Sequence, residues 1–330
     1  MNTLRNTEDI GTKAEQICVA TRARDLKKRY KLKITTVSIL PHSLVDRYGQ
    51  PIFLNCMDDG FLMWFSDTKR RLSNLVFISK DLKNGSLVMK HQSINGFCYE
   101  PSRQRLIVSQ ANHADLIGNH QKALCDRNNC IVECDLEGKI TNVMVSGEKE
   151  PFFPLGLAST GGDRLVYFDL VTRTFRVLAM SGEVQTELYA GDRIASIISA
   201  SNPSEIYFKS ISNMNWYGTS TMERADRIYK MVGEEKPRLI YDGCFTGPPS
   251  NQLFTFILCD DSLFYGAQDT FGKVDLNGND VYKISMSDSI WQLSGGSGFI
   301  RSLCRDAKDA KVLYALLQSQ KRHYVCTLEI

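Results

Sequence analysis

The sequence predicts an all-β chain built as a ring of six four-stranded blades, closed by a strand near the N-terminus and preceded by a helical arm. Three observations lead there: a short hairpin-rich phrase recurs six times, its period is nearly constant, and the two chain ends are each incomplete without the other. The recurring phrase ends at matching turns, among them Ser79-Lys80-Asp81-Leu82, Glu133-Cys134-Asp135-Leu136-Glu137-Gly138, Ala179-Met180-Ser181-Gly182, Met231-Val232-Gly233 and Val274-Asp275-Leu276-Asn277-Gly278, with Cys326-Thr327-Leu328 near the C-terminus. The anchor positions 82, 136, 180, 232, 276 and 328 lie 54, 44, 52, 44 and 52 residues apart. That interval is at or slightly above the roughly 40–50 residues of a propeller blade. A repeat of this size cannot bury a core alone, so the copies must pack radially on one another.

Two further registers agree with the first. Second strands read Phe61-Leu62-Met63-Trp64-Phe65, Arg105-Leu106-Ile107-Val108, Arg164-Leu165-Val166-Tyr167-Phe168, Glu205-Ile206-Tyr207-Phe208, Ser262-Leu263-Phe264-Tyr265 and Val312-Leu313-Tyr314-Ala315-Leu316. First strands read Ile52-Phe53-Leu54-Asn55-Cys56, Gly96-Phe97-Cys98, Phe256-Ile257-Leu258-Cys259 and Ile300-Arg301-Ser302-Leu303-Cys304. Near-continuous apolar runs of this kind suit the innermost strand of a blade, which is covered on both faces. Turn formers such as Asp58-Asp59-Gly60, Gly161-Gly162 and Asn202-Pro203 close the runs.

The sixth repeat supplies only three strands, over about 299–305, 311–317 and 322–330, while an unclaimed alternating strand, Lys33-Ile34-Thr35-Thr36-Val37-Ser38-Ile39-Leu40, precedes the first repeat. Joining the two closes the ring and removes an exposed edge. Taken together, residues 33–330 resemble the six-bladed β-propeller superfamily, of the NHL-like and TolB- or gluconolactonase-like kind. The Asp-Leu-x-Gly turn and the repeat period carry this resemblance, which implies an architecture and leaves activity open. Tryptophan-aspartate repeat signatures are missing, which speaks against a WD40 assignment.

The chain has 330 residues and a net charge of +3, but the positive charge is uneven. Residues 1–34 hold nine bases (Arg5, Lys13, Arg22, Arg24, Lys27, Lys28, Arg29, Lys31, Lys33) against four acids, leaving 31 bases and 33 acids for the remainder. Ile10, Ala14, Ile17, Val19, Ala20, Leu26 and Tyr30 recur partly at helical spacing, so residues 1–32 are read as a basic helical arm and 33–330 as the propeller domain. A helix lying on the ring is the expected use of this arm; a localisation signal or a contact with an acidic partner or nucleic acid are the alternatives. No apolar run approaches the eighteen or so residues of a membrane span, and Glu8, Asp9, Lys13 and Glu15 interrupt any signal-peptide pattern. The expected location is cytoplasmic or nuclear.

Cys56, Cys98, Cys259 and Cys304 recur near the ends of inner strands in different blades and are expected as free buried thiols rather than disulfides. His120, Cys125, Cys130 and Cys134 lack the paired spacing of a zinc site, and Cys130 and Cys134 on one strand lie roughly 13 Å apart. No metal or cofactor is therefore assigned.

The links between second and third strands, and those between successive blades, emerge on one face. Two of the former are long, from Gln110 to Asn128 and from Ile211 to Ala225, and they flank the short Val171-Thr172-Arg173 link of blade 3. Long loops on a rigid scaffold are where binding concentrates. The candidate binding residues are Asn112 and His113 in the first, Asn213, Asn215, Trp216 and Tyr217 in the second, and Asp269 beside them in blade 5. Aromatic and amide side chains of this kind anchor interfaces or stack on bases. The plainer alternative folds Trp216 and Tyr217 inward as the core of their own loop.

The reading this favours is a non-enzymatic propeller that binds a protein partner as scaffold or adaptor, with no catalytic residue assigned. An RNA-binding NHL-like propeller is the first alternative, weakened by the slightly acidic ring. A gluconolactonase-like metal-dependent hydrolase is the second; it would need Asn95, Asp192 and Asn251 to converge on a cation at the axis.

Overall fold

The computed structural model describes residues 33–91, 93–100, 103–111, 120–160, 164–190, 194–202, 204–211, 226–242, 253–267, 270–285, 298–319 and 322–330. The arm, residues 1–32, lies outside them.

Six antiparallel four-stranded sheets make the ring. Blade 1 is β2 (Gln50–Cys56), β3 (Gly60–Asp67), β4 (Leu72–Ser79) and β5 (Gly85–His91). Blade 2 is β6 (Ile94–Glu100), β7 (Arg105–Gln110), β8 (Cys130–Cys134) and β9 (Ile140–Ser146). Blade 3 is β10 (Pro154–Ser159), β11 (Arg164–Asp169), β12 (Thr174–Ala179) and β13 (Val184–Tyr189). Blade 4 is β14 (Ile194–Asn202), β15 (Glu205–Ile211), β16 (Asp226–Val232) and β17 (Arg238–Asp242). Blade 5 is β18 (Leu253–Cys259), β19 (Ser262–Ala267), β20 (Thr270–Asp275) and β21 (Asp280–Ser285). Blade 6 takes β22 (Gly298–Arg305), β23 (Val312–Ser319) and β24 (His323–Glu329) from the C-terminus and β1 (Lys33–Ile39) from the other end of the chain.

The closing strand pairs Lys33 with Glu329 and Ile39 with Tyr324, so the expected closure is present. A short helix, α1 (His42–Tyr48), then leads into blade 1 and buries Leu44 and Tyr48. It ends at Gly49, whose φ of 103° favours glycine and whose Cβ position would fall 2.4 Å from the Ser66 carbonyl oxygen.

Apolar side chains gather in six clusters, one between each pair of neighbouring blades. Leu54, Phe61, Phe65 and Val76 of blade 1 meet Cys304, Leu316 and Val325 of blade 6. Leu62, Leu75 and Met89 meet Phe97, Leu106 and Val132 across the next seam. The remaining four seams are built alike, from blades 2 and 3, 3 and 4, 4 and 5, and 5 and 6. Polar side chains tie the inner strands at three of these seams: Leu54 N donates to Ser302 Oγ at 3.2 Å, Leu303 N to Thr255 Oγ1 at 3.3 Å, and Asn95 Nδ2 to the Pro154 carbonyl at 2.9 Å.

Every innermost strand carries at least one extra residue relative to its neighbour, with register breaks at 51/53, 94/96, 155/158, 195/197, 253/255 and 300/302, and a second in β14 at 200/202. Every outermost strand does too, at 34/36, 87/89, 143/145, 184/186, 239/241 and 280/282, with a second in β9 at 140/142. Bulges raise the local twist and spoil an edge as a template for pairing. The outer bulges of blades 1, 2 and 4 also receive the turn of the following blade. The Asp135 turn places Gly138 at φ 83° against Val88, and the Ser181 and Asp275 turns place Gly182 and Gly278 against Met144 and Ile240.

Two outcomes test this account. Deleting residues 1–30 leaves β1 in place and should keep the melting temperature within a few degrees, whereas deleting 1–40 leaves the outer edge of β24 unpaired and should give aggregation or a large loss of thermal stability; equal melting of the two would refute closure by β1. Gly138→Ala would put a Cβ 1.7 Å from the Val88 carbonyl oxygen, and should cost about 3 kcal/mol or more in denaturant unfolding. Gly233→Ala, also at positive φ but with open space around it, should cost only about 1 kcal/mol.

Candidate functional site

The strand ends fix the geometry of the face singled out by loop length. In blade 2 the link between second and third strands runs over positions 111–129, in blade 4 over 212–225, and in blade 3 over 170–173. A low blade therefore sits between two blades with long connections on the same side of the ring. The surface of blade 3 forms the floor of that arrangement, and it is held by a buried carboxylate.

Asp169, at the end of β11, is fully buried, and its Oδ1 accepts from the amides of Phe153 and Val171 at 3.1 and 3.0 Å. Its Oδ2 accepts from Thr172 Oγ1 at 3.2 Å and faces Arg176 Nε at 3.5 Å. Burial pushes the Asp169 carboxyl up, against the pull of the two amides and of Arg176. Arg176 continues outward to Glu150 at 3.1 Å and Glu187 at 2.9 Å. The set reads as a brace: one guanidinium joins the blade 2–3 connection, β11 and β13, and every carboxylate in it has a partner. Tyr189 at the end of β13 is 61% exposed.

The blade 2 link is pinned at its far end. Helix α2 (His120–Leu124) places Ala123 in the blade 3–4 cluster, and buried Asn129 donates through Nδ2 to the carbonyls of Ala123 at 3.0 Å and Phe152 at 2.8 Å. The candidate residues Asn112, His113, Asn213, Asn215, Trp216, Tyr217 and Asp269 all lie outside the described residues, so the structure places the strands that carry their loops and no more.

Asn95, one of the three residues a cation at the axis would need, is turned to another use. Its Nδ2 donates across the seam to Pro154 at 2.9 Å, and its Oδ1 accepts from Ser93 Oγ, two residues earlier, at 3.3 Å. Asp192 and Asn251 lie outside the described residues. Among the described residues no group of three or more His, Cys, Asp or Glu side chains is placed to hold a metal ion.

The eight described cysteines are free thiols. Cys56, Cys98, Cys259 and Cys304 are buried at the ends of inner strands, where desolvation pushes Cys56 and Cys259 up to about 11, Cys98 up to about 12 and Cys304 well above the ordinary thiol value. Burial likewise raises Cys130 to about 11 and Cys134 to about 12. Such thiols are poor nucleophiles and poor metal ligands at neutral pH. Cys125, beyond α2, is exposed. A further polar cluster, absent from the sequence reading, bridges blades 6 and 1: Asp306 Oδ2 accepts from the Tyr314 hydroxyl at 2.8 Å and pairs with Lys80 at 3.5 Å. Partial burial works against that carboxylate, but the amides of Lys308 and Asp309, the Tyr314 hydroxyl and Lys80 together hold it at about 2. It is a seam contact, and only the ring closure made it legible.

No protein-family model and no curated protein sequence matches the chain. Solved structures do match in shape. "Structure of U3-55K" and "Crystal structure of RRP9 WD40 repeats" superpose with a TM-score of 0.56 at 12% identity, covering 89% and 90% of this chain and 98% and 99% of theirs. A luciferin-regenerating enzyme superposes with a TM-score of 0.55 at 11% identity, covering 89% of this chain and 95% of that one. At such identities the likeness is one of fold, and the class it defines is the β-propeller, here with six blades.

The thiol environments predict a selective reaction. Near pH 7.5 a disulfide reagent should modify Cys125 within minutes in the native protein, with Cys56, Cys98, Cys134, Cys259, Cys304 and Cys326 reacting only after denaturation; peptide mapping reads this directly. Rapid native labelling of an inner-strand cysteine would contradict the packing described.

Proposed function

We propose that this chain is a non-enzymatic β-propeller that binds a protein partner through the face carrying its long links, as a scaffold or adaptor inside the cell, cytoplasmic or nuclear. The observation that supports it is the step in link length around blade 3: 19 residues in blade 2 and 14 in blade 4, against 4 between them. A rigid low floor between two long loops is the geometry of a recognition trough. Its contents in sequence, with Trp216 and Tyr217 among amides, suit an interface core better than acid–base work. Fold alone does not decide, since the matched shapes include both WD40 repeats and an enzyme. The use of Asn95 as a seam tie weighs against the hydrolase alternative. The near-neutral balance outside the arm weighs against a phosphate-binding ring.

The test is the double substitution Trp216→Ala with Tyr217→Ala, read by melting temperature and by partner recovery from native extract. Truncating aromatic anchors costs about 2 kcal/mol or more, a loss of roughly thirtyfold in affinity, while leaving a rigid scaffold folded. Unchanged melting with lost recovery is expected. A collapsed melting temperature would make the pair loop core, and unchanged recovery would move the binding face elsewhere.

A further inference from the structure

We propose that the basic arm, residues 1–32, docks in cis on the opposite face of the ring, in a groove between blades 1 and 2. The groove has a volume of about 260 Å³, slightly below the roughly 300–1,000 Å³ typical of small-molecule clefts and suited to a few side chains of a peptide. Its walls are Leu62, Phe77 and Val88 from blade 1 and Tyr99, Leu106 and Leu136 from blade 2. At its mouth stands the turn between β2 and β3. Asp58 and Asp59 in that turn are the only charged groups among the eleven lining residues. Neither carboxylate has an ion-pair partner among the described residues, and both act on the neighbouring Tyr99 hydroxyl, whose pKa rises through desolvation first and these two charges second. An apolar floor with two acids at its rim, neither in an ion pair among the described residues, fits an amphipathic basic segment, the helix-in-groove mode of peptide binding.

The position of the arm singles out this chain's own segment as that occupant. Lys33 pairs with Glu329, which in turn faces Val312 at the start of β23. The arm therefore joins the ring on the side of the turns between first and second strands, the groove's side and not the long-link side. It does so at the blade next to the groove's first wall: Lys308, in the corresponding turn of blade 6, donates through Nζ to the Asp58 carbonyl at 3.5 Å. The reach is ample, since a helix over residues 9–30 spans about 33 Å. The chemistry is complementary. Residues 1–32 carry eight bases against four acids, with Ile10, Ala14 and Ile17 at the i, i+4, i+7 spacing of a groove-binding face and Lys27-Lys28-Arg29 beyond it. Docking would cover the groove and leave the long-link face untouched, so this inference does not depend on the partner proposed above.

The experiment uses the full chain. Hydrogen exchange of arm amides is measured for the native sequence, for Asp58→Lys with Asp59→Lys, for Lys27→Glu with Lys28→Glu and Arg29→Glu, and for the combination. Each reversal alone should speed arm exchange about five- to tenfold, the scale set by losing two exposed charge pairs, and the combination should restore the native rate. Melting of the ring should stay unchanged, because the two aspartates hold no structural partner. A photo-crosslinking residue at exposed Ser86, which lines the groove, should capture a peptide from residues 9–32 within the monomer. Arm exchange that is the same in all four proteins, crosslinks only to other segments, or protection that vanishes on dilution, the mark of a second copy in the groove, would each overturn the proposal.

Discussion

The structure depends on one constraint: no blade has a core of its own. Each four-stranded sheet is apolar on both faces, and every apolar cluster is shared by two blades. A single twisted sheet of this size exposes as much as it covers, so burial is completed only when the sixth seam forms. Closing that seam requires residues from both ends of the chain, with Leu40 and Leu44 packed among Cys304, Leu316 and Val325. Folding of the ring is therefore a long-range event, and β1 contributes to stability far beyond its own seven residues.

The seams also explain which letters the sequence repeats. Gly138, Gly182 and Gly278 recur because two demands coincide at one position: a left-handed backbone, and a carbonyl of the preceding blade where a Cβ would sit. That made the turn the most reliable register of the repeat. Leu82 meets the first demand without glycine, at φ 61°, and its side chain fills the blade 6–1 seam with 1% exposure, which repays the strain of the left-handed backbone. Gly233 meets the first demand alone, with nothing within 4 Å, so the same letter there marks a turn and not a contact.

Fold and site were legible to different depths for physical reasons. Strand order, closure and link lengths follow from apolar runs and turn residues, which are local signals. The bulges are not local: whether Ile52 or Arg301 is the extra residue depends on the register of the neighbouring strand, which no single run reveals. Helix α1 escaped because only Leu44, Val45 and Tyr48 of its seven residues meet the core, too short a run to set a period. Asn95 was legible as an inner-strand amide, but its hydrogen bond to Pro154, 59 residues away, was not, because the two become neighbours only across a seam. Asp169 and Arg176 went unremarked because a buried charge is recognisable only by its partners.

Ring topology separates the two faces. Turns between third and fourth strands must stay short in blades 2, 3 and 5, where they insert into the bulge of the preceding blade; a longer turn there would push two blades apart. On the other face the links of blades 2 and 4 have lengthened, and the far end of the blade 2 link packs Ala123 into the blade 3–4 cluster and ties Asn129 to Phe152. The terminal arm is the one long segment that joins the crowded face, and it can do so because β1 occupies the outer position of blade 6, where no turn from β24 is needed. Closure thus does two things at once: it completes the last seam, and it joins a basic segment to the face where the apolar wall and the Asp58 and Asp59 carboxylates coincide.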